Sequence, residues 1–144
     1  MTAQTTSFGV VYPSECDHMG HLNVAYYVQK FDAATWNFFF NIGVTPSMLR
    51  ENKFGLAAVE NVLNYKRELM AGDVIEVRTK VLDLSERKVR FRHEMINRET
   101  RQVVATSELL GVCFDREQHK ARSFPPEIFD KAKQALEAGQ GASS

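Results

Sequence analysis

The apolar positions of this chain change their period once. From Val24 to Ile42 they fall at Val24, Tyr27, Val28, Phe31, Ala34, Phe38, Phe39 and Ile42, which is helical spacing. Trp36 and Phe40 widen that stripe beyond one face, predicting a helix wrapped by other structure. Asn23 precedes the run as an N-cap whose side chain can take an orphan N–H, and Gly43 follows it as a C′ residue. Further on the period is two. Leu56 to Leu69 reads as one long strand with Val59, Asn61, Leu63 and Tyr65 on one face. Ile75, Val77, Thr79 and Val81 alternate with Glu76, Arg78 and Lys80, and Val89, Phe91, His93 and Met95 with Arg90, Arg92 and Glu94. Val103 to Phe114 is apolar on both faces, as a central strand is. Turns separate these runs at Ala71-Gly72-Asp73, Ser85 to Lys88 and Asn97 to Gln102.

The ends are simpler. Ser7 to Tyr12 is a short β-prone run closed by Pro13, and Thr45-Pro46-Ser47 starts a helical turn through Arg50. Pro125 and Pro126 open a C-terminal helix through about Leu136. Gly139 to Ser144 is expected to be a disordered tail, leaving residues 1–138 as a single domain. One buried helix, a short strand before it and four long antiparallel strands after it make an α+β protein. A curved five-stranded sheet around the helix would bury both apolar sets.

Composition narrows the function classes. A length of 144 residues suits one core. Eighteen basic and eighteen acidic residues leave no net charge, so the basic footprint of a nucleic-acid binder is missing. No apolar run approaches the ~20 residues of a membrane span, and Met1 to Thr6 lacks the regions of a secretory leader. Two cysteines, Cys16 and Cys113, make no disulfide framework. A cytoplasmic protein is expected.

The chemistry concentrates in Cys16-Asp17-His18-Met19-Gly20-His21-Leu22-Asn23, directly ahead of the helix. A carboxylate and two imidazoles beside a helix N-terminus, where orphan N–H groups favour developing negative charge, suit acyl-group chemistry. Asp17 can equally cap the helix. His21 can orient Asp17, contact substrate or cap. The Glu15, Cys16, Asp17, His18, His21 cluster matches no zinc spacing, so no metal is expected, and Cys16 and His18 are too close in an extended loop for a nucleophile pair. His93, inward in an apolar alternation, reads as a satisfied core or interface histidine.

The order Asp17-x-x-Gly20-His21-x-Asn23, x-x-Tyr26, aromatic helix, Asn64-Tyr65 and Gly72-Asp73-x-Ile75 resembles the hotdog-fold acyl-CoA thioesterases of the 4-hydroxybenzoyl-CoA thioesterase type. The likeness runs from about Phe8 to Phe114. It implies a hotdog fold and a homodimer or homotetramer with sheets paired edge to edge and sites between subunits. It also places Asp17 at the catalytic carboxylate, as nucleophile or general base, and puts backbone N–H groups around Val24 at the thioester carbonyl. Asn23 and Tyr26 fall in the motif. Glu60 is either near the site or a solvated face residue. The substrate is a small acyl-CoA, a betainyl thioester among the candidates because the helix aromatics could hold a quaternary ammonium. Coenzyme A is part of the substrate and no separate cofactor is expected. Its phosphates need cations, and Arg87 and Lys88, with Arg90 and Arg92 beyond, form either that subsite or an ordinary charged face. The rivals are a hydratase or dehydratase of the same fold using Asp17 and His21, and a non-catalytic acyl-CoA-binding domain.

Overall fold

The computed structural model describes residues 3–142. Five strands form one antiparallel sheet in the order β1 (Gln4–Val10), β3 (Val74–Leu84), β4 (Lys88–Asn97), β5 (Val103–Asp115), β2 (Phe54–Tyr65). A sixth strand of two residues, β6 (Lys120–Ala121), adds to the end of β5. It carries too few residues to show a period, which hid it from the sequence. The sheet curls around α1 (Val24–Asn41); α2 (Pro46–Glu51) leads into β2, and α3 (Pro126–Ala142) packs on β3. This is the α+β hotdog arrangement. Among the described residues no helix is long and apolar enough to cross a membrane.

The caps form as the residue types dictate. Asn23 Oδ1 accepts the Ala25 N–H at 3.0 Å, and Gly43, at φ +102°, takes the left-handed turn that closes α1. Tyr27, Phe31, Ala34, Thr35, Phe38 and Phe39 face the sheet. Toward the helix C-terminus Phe38 and Phe39 meet Phe91, Val89, Val81 and Ile128; toward its N-terminus Tyr27 and Phe31 meet Leu69, Ile75, Met95 and Ala105. Between these halves lies a polar layer. His93, fully buried, has Thr35 Oγ1 at 2.8 Å from Nε2 and Thr79 Oγ1 at 2.7 Å from Nδ1. Thr35 gives its own proton to the Phe31 carbonyl at 3.1 Å, so it accepts from Nε2–H, and Nδ1 accepts from Thr79. His93 is thus a satisfied neutral core residue stacked on Phe31. Burial pushes its pKa down to about 3.

Four sequence expectations shift. Trp36 and Phe40, with Val24 and Val28, lie at i, i+4 spacing on an exposed stripe, because the sheet covers only one side of α1. The Leu56 to Leu69 run stops pairing at Tyr65: Lys66 and Arg67 both donate to the Val104 carbonyl and the chain leaves the ladder. The first strand sits earlier, at Gln4–Val10, and Pro13–Glu15 forms a 3-10 turn. The last helix continues past Leu136 to Ala142, so 139–142 are helical rather than a tail, and Gly139 is buried. The helix formers from Gln134 to Ala138 carry it on. Residues 143–144 of that expected tail lie outside the described residues.

Candidate active site

The loop before α1 is a small hairpin. Asn23 N–H donates to the Glu15 carbonyl and Asp17 N–H to that of His21, both at 2.9 Å, with Cys16 and Leu22 paired between them. Asp17-His18-Met19-Gly20 closes it, with Gly20 N–H donating to the Asp17 carbonyl at 3.0 Å. Aspartate first and glycine fourth, here at φ +86°, suit such a turn. Leu22 is buried, and its N–H donates to the Leu69 carbonyl at 2.8 Å, tying the hairpin to the segment that follows β2.

This geometry divides the Asp17 carboxylate in two. Oδ1 accepts from the N–H of Met19 at 2.9 Å and of His21 at 3.4 Å, while Oδ2 has no partner among the described residues. At the helix start, the Asn23 side chain takes the Ala25 N–H and the Asn23 carbonyl the Tyr26 N–H. The N–H of Val24, first in the helix, has no acceptor among the described residues. One face of the loop therefore offers an uncommitted carboxylate oxygen, and its end an uncommitted N–H at the positive pole of α1.

Beside the helix start is a cleft of about 240 Å³ lined by His21, Leu22, Val24, Tyr27, Tyr65 and Glu68, among others. His21 Nε2 lies 3.1 Å from Glu68 Oε2. The imidazole therefore turns to Glu68, and only the His21 backbone meets the Asp17 carboxylate. Tyr65 sets its ring edge-on to Tyr27 at 5.2 Å, and the Tyr27 hydroxyl donates to the Arg67 carbonyl at 3.3 Å.

Asp17, His21, Asn23 and Val24 thus lie on one loop–helix junction, of which His21 and Val24 line the cleft while Asp17 and Asn23 stand beside it. Tyr26 packs against the inner cluster around Tyr27 and Leu69 and does not line the cleft. Glu60 lies on the outer face of the sheet, 3.8 Å from Arg90, which also pairs with Glu108. A bulge between Ala58 and Glu60 shifts the parity of β2 and sends Glu60 away from α1. Arg92 pairs with Glu94 on that same face. Arg87 and Lys88 stand at the opposite end of the sheet: Lys88 is level with Ala57 through Val112, eight residues from Tyr65, roughly 25 Å along the strand. Within one chain they do not reach the cleft. Glu15 is held by Lys30 at 3.1 Å and Cys16 Sγ points to the Tyr12 carbonyl, so the cysteine, acids and histidines do not converge. The sequence reading passed over Tyr65, Lys66, Arg67 and Glu68 by absorbing them into a strand. The available signal was the run of three charged residues, Lys66 to Glu68 after Tyr65, where the alternation ends.

Residues 11–132 match the thioesterase-like superfamily, and the chain belongs to it, a class of thioester hydrolases. Among curated relatives, the betainyl-CoA thioesterase of Pseudomonas aeruginosa is 26% identical over 134 residues, 93% of this chain and 84% of that protein. The L-carnitine dehydrogenase/betainyl-CoA thioesterase of Agrobacterium fabrum is 26% identical over 112 residues, 78% of this chain but only 23% of that longer protein. Among solved structures, a Staphylococcus aureus protein in complex with CoA superimposes with a TM-score of 0.89 at 19% identity, covering 96% of this chain and 87% of that one. The DHNA-CoA thioesterase of Staphylococcus aureus gives 0.84 at 17% identity, over 100% and 97% of the two chains. At these identities the two structures establish the hotdog fold alone.

Proposed function

We propose that the protein hydrolyses a small acyl-CoA to the free acid and CoA at the junction of the Asp17 loop and α1. The observation that carries this reading is the pairing of a free Asp17 Oδ2 with a free Val24 N–H on one hydrogen-bonded loop. The thioester carbonyl oxygen accepts from Val24 N–H, where the helix pole stabilises the charge that develops on it. Asp17 then acts in one of two ways. As nucleophile, its oxygen bonds to the acyl carbon, the C–S bond breaks, the CoA thiolate takes a proton from solvent, and water cleaves the resulting anhydride. As general base, it takes a proton from water while the water oxygen bonds to the acyl carbon, the C–S bond breaks and the thiolate is protonated. No metal or separate cofactor enters either route.

Asn23 fixes where the helix N–H groups point. His21, held by Glu68, supports the loop and faces the cleft. A hydratase using an Asp17–His21 side-chain dyad fits less well, because the imidazole is turned to Glu68. The two curated relatives make a betainyl thioester the first acyl group to try, and Tyr65 offers an aromatic ring in the cleft to a quaternary ammonium. Self-association belongs to this reading. β2 is a sheet edge with Val59 and Val62 exposed, and α1 carries an open apolar stripe of its own. Thiol release across short, medium, aromatic and betainyl acyl-CoAs tests the proposal. Turnover of at least one is expected, and no turnover of any would overturn it.

A further inference from the structure

The cations expected at Arg87 and Lys88 lie at the wrong end of the chain for its own cleft, and another pair lies at the right one. Lys66 and Arg67 are exposed, and neither side chain has a partner among the described residues. Their backbone is fixed: both N–H groups donate to the Val104 carbonyl, at 2.8 and 3.1 Å, and the Arg67 carbonyl accepts from Tyr27. Lys66, Arg67 and Glu68 form a wall shared by two spaces. On one side is the cleft at the helix start, and on the other a larger cleft of about 510 Å³ closed by Asn97, Thr100 and Gln102. The nearby carboxylate of Glu68 is engaged by His21 and forms no ion pair with either cation.

We propose that Lys66 and Arg67 bind the phosphates of coenzyme A, with its nucleotide end in the larger cleft over the 97–102 turn. This rests on the thioesterase reading. A coenzyme A thioester is a long molecule whose acyl end carries no phosphate and whose nucleotide end is multiply anionic. Two joined clefts with an unpaired basic ridge between them match that division of charge. The guanidinium of Arg67 can engage a phosphate through two N–H groups, while Lys66 supplies a point charge. Asn97 and Thr100 spend side-chain oxygens on the N–H groups of their own turn, at 2.9 to 3.3 Å, so the floor of the larger cleft is preshaped.

The test compares Lys66→Ala/Arg67→Ala with Arg87→Ala/Lys88→Ala. Each is assayed on an acyl-CoA and on the N-acetylcysteamine thioester of the same acid, which has no phosphates. Calorimetric titration with CoA and with 3′-phosphoadenosine 5′-phosphate measures binding without turnover. For the Lys66/Arg67 variant, KM for the acyl-CoA should rise about 10-fold or more, with kcat far less affected. The preference for the CoA thioester over the short thioester should fall by the same factor, and both probes should bind correspondingly more weakly. The proposal is overturned if these quantities stay at wild-type values, or if only the Arg87/Lys88 variant changes them. A wild type that binds CoA but cleaves neither thioester would instead count against the hydrolase reading.

Discussion

Replacing Val24 by proline removes one hydrogen-bond donor and little else. Val24 is the first residue of α1, where proline is favoured because that N–H has no intrahelical partner. The residue before a proline must be extended, and Asn23 already sits at φ −68°, ψ 142°. The valine side chain is 58% exposed, so its loss removes little packing. The Asn23 cap to the Ala25 N–H is untouched. The variant should therefore fold with wild-type stability while the thioester oxyanion loses its donor. Losing one such donor typically costs about 10² to 10³ in kcat, or about 3 to 4 kcal/mol of transition-state stabilisation. The assay is free-thiol release under saturating acyl-CoA, with melting curves alongside and Val24→Ala, which keeps its N–H, as control. Proline and alanine variants of equal activity would refute the assignment of this N–H to the oxyanion.

His93 is neutral when folded, with a pKa of about 3 against about 6.5 unfolded, so below pH 6.5 only the unfolded chain gains the proton. Its contribution is intact above pH 6.5 and is lost at about 1.4 kcal/mol per unit as pH falls toward 3, about 2 kcal/mol by pH 5. His93→Gln can keep both threonine contacts without titrating, so urea unfolding at pH 7 and pH 5 should show a smaller acid loss in the variant, and equal losses would exclude His93 as the cause. Lysine at exposed Val59 and Val62 should block pairing through β2. Sedimentation should then find an associated wild type and a monomeric variant, and a monomeric wild type would contradict the interface. Single-turnover hydrolysis in ¹⁸O-water probes the role of Asp17: label in the Asp17 carboxylate marks an anhydride opened by water at the Asp17 carbonyl, an outcome that general-base hydrolysis does not give.

What could be read ahead of the structure was local chemistry. Asn23 and Gly43 bound α1 because capping depends on neighbouring N–H and C=O groups only, and the strands from Val74 to Asp115 follow alternation. The gathering of Asp17, His21, Asn23 and Val24 at one junction was legible because they are adjacent in sequence. Long-range placement was not. The bulge between Ala58 and Glu60 breaks the alternation that grouped Val59 with Asn61, Leu63 and Tyr65, and no period announces a one-residue insertion. Strand register, which pairs Lys88 and Ala57 with the same Val112, sets Arg87 and Lys88 at the far end of the sheet from their own chain's cleft. Lys66 and Arg67 were lost in an overlong strand whose end is fixed by two hydrogen bonds to Val104, a partner nearly forty residues away. Trp36 and Phe40 looked like core because apolar spacing alone does not tell a covered helix face from an open one.

The central claim is that Asp17 drives thioester hydrolysis in this loop. Its Oδ1 hydrogen bonds are to backbone N–H groups, so Asp17→Asn can keep the turn through its amide oxygen while replacing the free Oδ2 with an amide nitrogen. Thiol release by wild type and Asp17→Asn, on whichever acyl-CoA the wild type cleaves fastest, tests it most directly. The account predicts a loss of about 10²-fold or more in kcat with an unchanged melting temperature. An asparagine variant that turns over at the wild-type rate would contradict it.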